Sequence, residues 1–176
     1  MAVALPREYT AESCPIARSL EIVGERWTLL VVRDAFYGVR RFTDFRAHLG
    51  IPKAVLSERL SLLVDEGVLA KAAGGGGRDE YVLTRKGRQL WPTIWSLASW
   101  GNENYVDPSR RRNYRHADCG GTIGIDRACA ECGQIPDVAD LVVHPPRRPA
   151  DRGARDDATS TALRQPHRML QPIHPG

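Results

Sequence analysis

Residues 63–87 read LVDEGVLAKAAGGGGRDEYVLTRKG, and the way this stretch folds decides the reading of the whole chain. Two short apolar segments, 68–70 and 81–83, lie within the strand-like stretches 68–72 and 80–83 and flank four consecutive glycines and Arg78. Segments of that length bounded by turn residues predict paired strands with the glycines at the hairpin tip. Taken alone, four glycines fit an inert loop as well as a purposeful one, so the neighbours must decide.

Upstream, the pattern changes to helical spacing. A helix is expected from Pro52 to about Glu66, with Leu56, Leu60, Leu63 and Val64 on one stripe and Gly67 as its stop. Before it, Thr43 can cap a short helix, DFRAHL, by accepting bonds from the free first-turn amides. Earlier still, Arg26–Phe36 holds Trp27, Leu30, Val31 and Ala35, and YGVRR breaks it. Pro15 suits the first turn of an opening helix in which Ile16, Leu20 and Val23 recur as far as Gly24. Downstream, Thr84 is expected to cap one long helix through about Asn104, with Leu90, Trp91, Ile94, Trp95, Leu97, Ala98 and Trp100. Pro92 should remove one of its backbone hydrogen bonds and kink its axis. Trp91, Trp95 and Trp100 read as core and dimer packing.

The order helix, helix, short helix, longer helix, hairpin, helix is that of a winged helix-turn-helix. The fold class expected is therefore mainly α with a small β-hairpin wing, plus a small C-terminal zinc-ribbon-like extension. In that arrangement the short helix braces the longer one, whose first turns are free to enter a DNA major groove. A tip without side chains can lie beside the phosphate backbone, with Arg78 at its base reaching phosphate or the minor groove. Lys53, Ser57 and Glu58 are the candidates to face base edges. Arg40, Arg41, Arg46 and Arg59 are candidates for phosphate contacts, with Arg78 in the wing.

Charge is distributed to match. Net charge is +4 over 176 residues, yet residues 14–112 carry sixteen Lys and Arg against eleven Asp and Glu, while residues 113–144 carry two against five. A positive first part suits a nucleic-acid partner, although a solvated arginine-rich surface has the same composition. Four zones follow: a tail at 1–13, the winged unit at 14–112, a separate Cys/His-rich unit at 113–144 and a Pro- and charge-rich stretch at 145–176 that is expected to be disordered. No apolar run is long enough for a membrane span, and the first residues lack the layout of a signal peptide. A cytoplasmic location is expected.

Six fragments in order across about ninety residues, CP at 14–15, GERWTLLVVRDA at 24–35, RRFTDFRAHLGI at 40–51, VLSERLSLLVDEGVL at 55–69, EYVLTRKGRQL at 80–90 and WG at 100–101, resemble the HxlR-type winged helix regulators. The resemblance implies a bacterial, nucleoid-associated transcription factor, most often a repressor. It would act as a homodimer on pseudo-palindromic double-stranded DNA operators, with an effector or oxidant that the sequence does not identify; the tryptophan-bearing helix, together with the first one, is expected to supply the two-fold interface. This chain departs from the family pattern at Glu25-Arg26, at Pro52 and Ala54, and in its all-glycine wing. A protein-interaction module that no longer reads DNA is the competing reading; nothing in the sequence supports an enzyme. Cys14, just before the first helix, matches the cysteine that many relatives use as a redox sensor. A structural thiol is the plainer alternative.

The remaining cysteines stand in HADCGGTIGIDRACAECGQ, which presents His116, Cys119, Cys129 and Cys132. Each outer pair is separated by two residues, the spacing that lets a tight turn offer two ligands to one tetrahedral ion. A structural Zn2+ held by three cysteines and a histidine is the metal reading, and a reduced, metal-free loop is the alternative. Four protein ligands leave no open position for catalysis.

Overall fold

A computed structural model describes residues 13–147 and 156–174. The first half follows the helical spacing closely. Helix α1 (Pro15–Val23) begins on its proline, and α2 (Arg26–Phe36) is capped by Glu25, whose carboxylate accepts from the Trp27 amide at 2.8 Å. Helix α3 (Phe42–Leu49) and helix α4 (Lys53–Asp65) are joined by a tight turn through Gly50. Leu56, Leu60 and Leu63 of α4 are buried against Val31, Val32, Phe36 and Phe45.

Strands β1 (Leu69–Ala73) and β2 (Asp79–Leu83) form an antiparallel hairpin in register from Leu69 opposite Leu83 to Ala73 opposite Asp79. On its other side β2 receives the chain at Arg40, whose carbonyl accepts from the Tyr81 amide at 2.8 Å. The glycines make a single 3-10 turn at Gly75–Gly77, and a side chain added at Gly75 or Gly77 would meet open space.

Two local expectations need correction. Thr43 does not cap α3: the helix starts at Phe42 with Arg41 at the cap position, and the Thr43 hydroxyl faces Asp44 inside the first turn. Nor is there one long kinked helix after the wing. Thr84 does cap, accepting from the Gly87 amide at 3.1 Å, but it caps a single turn, α5 (Arg85–Arg88), and the chain restarts as α6 (Trp91–Tyr105). Pro92 therefore lies in the first turn of α6, where a missing N–H removes no helical bond, and it starts the helix instead of bending it.

The larger correction lies at the C-terminal end. Residues 156–174 are folded: α7 (Ala158–Ala162) is capped by Asp157, Leu163 and Met169 are each 1% exposed, and β5 (His167–Arg168) completes a sheet. Its order is β3 (Asn113–His116), β4 (Leu141–His144), β5, all antiparallel. The expectation of disorder fails there because a few apolar side chains dock into a surface made elsewhere. Residues 148–155, like tail residues 1–12, lie outside the described residues. The Cys/His-rich unit is not separate either. Ile123, Cys129, Val138, Leu141 and Val143 belong to the same contiguous core as the winged helices. Tyr114 on β3 is its keystone, packed edge-on to Trp91 and Trp95 with its hydroxyl 3.0 Å from that of Tyr37. Burial pushes the Tyr114 phenol well above its usual range.

The final residues cross back over the α2–α3 turn. The amides of Leu170 and Ile173 donate to the carbonyls of Phe36 and Gly38 at 2.8 and 3.1 Å. Gly38 has φ of 85°, and a Cβ there would fall 1.6 Å from the Gln171 carbonyl oxygen. Gly38→Ala is thus expected to cost more than about 1 kcal/mol and to lift the 156–174 segment from the body. Limited proteolysis should cut that segment faster in the variant, and an unchanged digestion rate would contradict the packing.

Candidate nucleic-acid interface and metal centre

Helix α4 carries two faces. Beneath lie Leu56, Leu60 and Leu63; above, Lys53, Ala54, Ser57, Glu58 and Ser61 are all exposed at helical spacing. Its first turns are uncovered, with Lys53 at the leading end. Helix α3 braces it from below through Phe45 and Leu49. The two preceding helices are locked by a charge cluster that sequence reasoning missed. Asp34 on α2 is fully buried, bonded by Arg33 at 2.7 Å and by His48 Nδ1 of α3 at 2.6 Å. Burial opposes the Arg33 charge, but Asp34 more than compensates and holds its pKa above the ordinary value. No periodicity could have signalled this: the contact is fourteen residues apart on two helices.

The arginines fall into two groups. Arg46 and Arg78 are exposed and open to solvent, at the last turn of α3 and the base of the wing. Arg40 and Arg41 point toward Glu80 of β2 at 3.8 and 3.4 Å, and Arg40 also donates to the Leu170 carbonyl at 3.3 Å. They tie the wing and the C-terminal segment to the start of α3, so a phosphate would have to share them with Glu80. Arg59 is half-buried on α4, paired with the neighbouring Glu58, with its Nε buried and unbonded. Cys14 is exposed at the cap position of α1 with no side-chain hydrogen bond to the helix.

His116, Cys119, Cys129 and Cys132 converge. Their candidate ligand atoms all lie within 4.8 Å of one another. Nδ1 of His116 is 3.4 Å from the sulfurs of Cys119 and Cys132, and Cys119 and Cys129 are 3.4 Å apart. A tetrahedral zinc with bonds of about 2.1–2.3 Å needs donor separations of roughly 3.4–3.8 Å, which these three separations meet. The local chain is shaped for it. A Cβ on Gly121 would sit 2.4 Å from the Cys129 sulfur, so only glycine lets the first turn close on the second. Amides of Cys132 and Glu131 point at the Cys129 sulfur and bring its pKa down to about 6. The Gly121 amide acts the same way on Cys119, but the adjoining Cys129 and Cys132 sulfurs outweigh it and hold that thiol above its ordinary value. Such crowding of sulfurs is what a divalent cation relieves. His116 presents Nδ1 inward and sets Nε2 3.6 Å from the exposed Asp118 carboxylate, on the side where an outer partner of a ligating imidazole would stand.

The hairpin between the two cysteine turns also reaches the helices. Trp95 of α6 donates its indole N–H to the Ile125 carbonyl at 3.0 Å, within the loop between Cys119 and Cys129. Among the described residues no helix is long and apolar enough to cross a membrane.

Comparison with known proteins places this architecture. The model of the HxlR-like helix-turn-helix family matches residues 22–109. The uncharacterised HTH-type transcriptional regulator Rv3095 of Mycobacterium tuberculosis is 41% identical over 133 residues, which cover 74% of this chain and 83% of the relative. The regulator YvaP of Bacillus subtilis is 36% identical over 103 residues, 56% of this chain and 94% of its own. Among solved structures, that of PA1607, described as a candidate transcription factor, superposes with a TM-score of 0.58 at 37% identity, over 69% of this chain and 87% of that one.

Proposed function

Because the chain belongs to the HxlR-like helix-turn-helix family of transcriptional regulators, we propose that it binds operator DNA sequence-specifically through α4 and the β1–β2 wing. The observation that carries this reading is the exposed face of α4: a leucine-anchored helix that leaves Lys53, Ala54, Ser57, Glu58 and Ser61 uncovered. Lys53, Ser57 and Glu58 face the bases, while Arg46 and Arg78 take phosphates. Arg40 and Arg41 contribute once Glu80 gives up its share of them. Arg59 contributes only on turning away from Glu58. Lys53→Ala or Arg78→Ala is expected to weaken operator binding by roughly 1–3 kcal/mol in a gel-shift at fixed salt. Unchanged affinity in both would remove α4 and the wing from the interface.

The regulator acts as a homodimer and, as is commonest in its family, as a repressor. Ile16 and Leu20 on α1 are 70% and 52% exposed, and Leu97, Trp100 and Tyr105 on α6 are 49%, 56% and 75% exposed. Five large apolar side chains on the two helices expected to pair suit a two-fold interface better than water. A two-fold dimer presents its two α4 helices to half-sites about one DNA turn apart, hence a pseudo-palindromic operator.

The Cys3His set holds a structural zinc, since three thiolates and an imidazole close the tetrahedron and leave no position for water. Cys14 acts as the redox sensor, its exposed sulfur oxidised to a sulfenate or to an intersubunit disulfide that reshapes the dimer. Operator binding by Cys14→Ser is expected to resist peroxide at doses that release the unmodified protein. Equal release of both would assign the response to another group.

A further inference from the structure

A cleft of about 540 Å³ opens where the end of the wing, the α5–α6 corner and the metal hairpin meet. Its apolar walls are Leu83, Trp91, Pro92 and Val138. Its rim carries three arginines, Arg85 and Arg88 from α5 and Arg127 from the metal hairpin, none of which makes an ion pair among the described residues. One carboxylate, Asp137, shares the rim, but its Oδ1 already accepts from the Ala139 amide at 2.9 Å. The cleft is therefore net positive over an apolar floor.

Arg127 supplies an independent observation. The hairpin around it closes by Gly124 N–H to Ala128 O and Arg127 N–H to Gly124 O, both 2.9 Å, and Arg127 sits in the left-handed region with φ of 69°. That position of a three-residue hairpin loop favours glycine. An arginine is held there against its backbone preference, and its side chain lines the cleft. Residues kept in disfavoured conformations gather at ligand sites.

We propose that this cleft binds a small amphipathic organic acid. The carboxylate, phosphate or sulfonate lies among Arg85, Arg88 and Arg127, and the ring or chain rests on Leu83, Trp91, Pro92 and Val138. The volume is that of a drug-sized ligand site. An occupant would bridge the last residue of the wing and the metal hairpin, which makes it a candidate effector. That regulatory role rests on the operator-binding reading above; the binding itself does not.

The test is calorimetric titration of the full-length, metal-loaded chain, without DNA, with 2-naphthoate, with neutral 2-naphthalenemethanol and with inorganic phosphate. One naphthoate per chain is expected, at least about tenfold tighter than either the alcohol or phosphate. Arg127→Gly should weaken naphthoate at least about fivefold while leaving the thermal midpoint unchanged or raised, since glycine suits the left-handed position. A purely structural Arg127 would show the reverse. The double variant Arg85→Gln with Arg88→Gln, which alters no constrained backbone, should weaken naphthoate similarly and decides the matter if Arg127→Gly lowers the midpoint. Equal binding of naphthoate and alcohol, equal binding of naphthoate and phosphate, no naphthoate binding, or wild-type affinity in the double variant would overturn the proposal. Because no DNA is present, each of these failures leaves the operator reading untouched.

Discussion

Cys129→Ser is expected to reduce bound zinc from about one per chain to near zero and to destabilise the fold by on the order of 3 kcal/mol. The effect is expected to be large because Cys129 is both candidate ligand and core. It is 2% exposed, lies in the contiguous hydrophobic cluster, and its sulfur meets Cys119 in the metal set. Binding of a structural metal is folding free energy, and here a bound ion would close two turns that otherwise bring three sulfurs together uncompensated. The loss should spread through Ile125 to Trp95 on α6 and through Ile123 to the β3 platform. The readouts are metal content by emission spectroscopy and thermal unfolding with and without chelator. Chelation should lower the midpoint of the unmodified protein to that of the variant and leave the variant itself unmoved. Purified protein with well under one zinc per chain, and a midpoint the same in Cys129→Ser, would show that the cluster is a reduced loop.

Phe36→Ala should cost about 3–5 kcal/mol, the range for emptying a fully buried phenylalanine site. Phe36 is the residue on which three parts of the molecule converge. It ends α2, its ring lies 5.1 Å from that of Trp91 at the start of α6, and its carbonyl accepts the Leu170 amide of the C-terminal segment. The site cannot collapse easily, because its neighbours belong to α2, α6 and the crossing segment and are each fixed by other bonds. Denaturant unfolding should show a lowered midpoint with an unchanged slope. A loss under 1 kcal/mol would mean that the C-terminal segment and the winged helices are not one cooperative core.

How much of this was readable beforehand follows the range of the interactions. Helices α1, α2 and α4 and the hairpin were legible because their stripes, stops and glycine tip are local, and Leu56, Leu60 and Leu63 mark one face whatever lies beneath. The Cys/His spacing is similarly local, and the four ligands do converge. What escaped was non-local. Leu163 and the pair Met169–Leu170 stand as short apolar islands in a polar run, and only the core formed by the rest of the fold gives Leu163 and Met169 a reason to be buried. Pro92 looked like a helix breaker because the two-residue corner before it carries no strong signal. The Asp34–His48 bond and the Glu80 hold on Arg40 and Arg41 are each set by tertiary partners, which residue spacing along one element does not encode.

Selection of genomic fragments by the purified protein, sequenced at about 50 and 200 mM salt, bears on whether the free face of α4 reads DNA. An enriched pseudo-palindrome with half-sites about 10 base pairs apart is predicted, with occupancy falling steeply as salt rises. The motif should vanish when Lys53, Ser57 and Glu58 are together replaced by alanine. No enrichment over background, or the same motif recovered with the triple variant, would contradict the account.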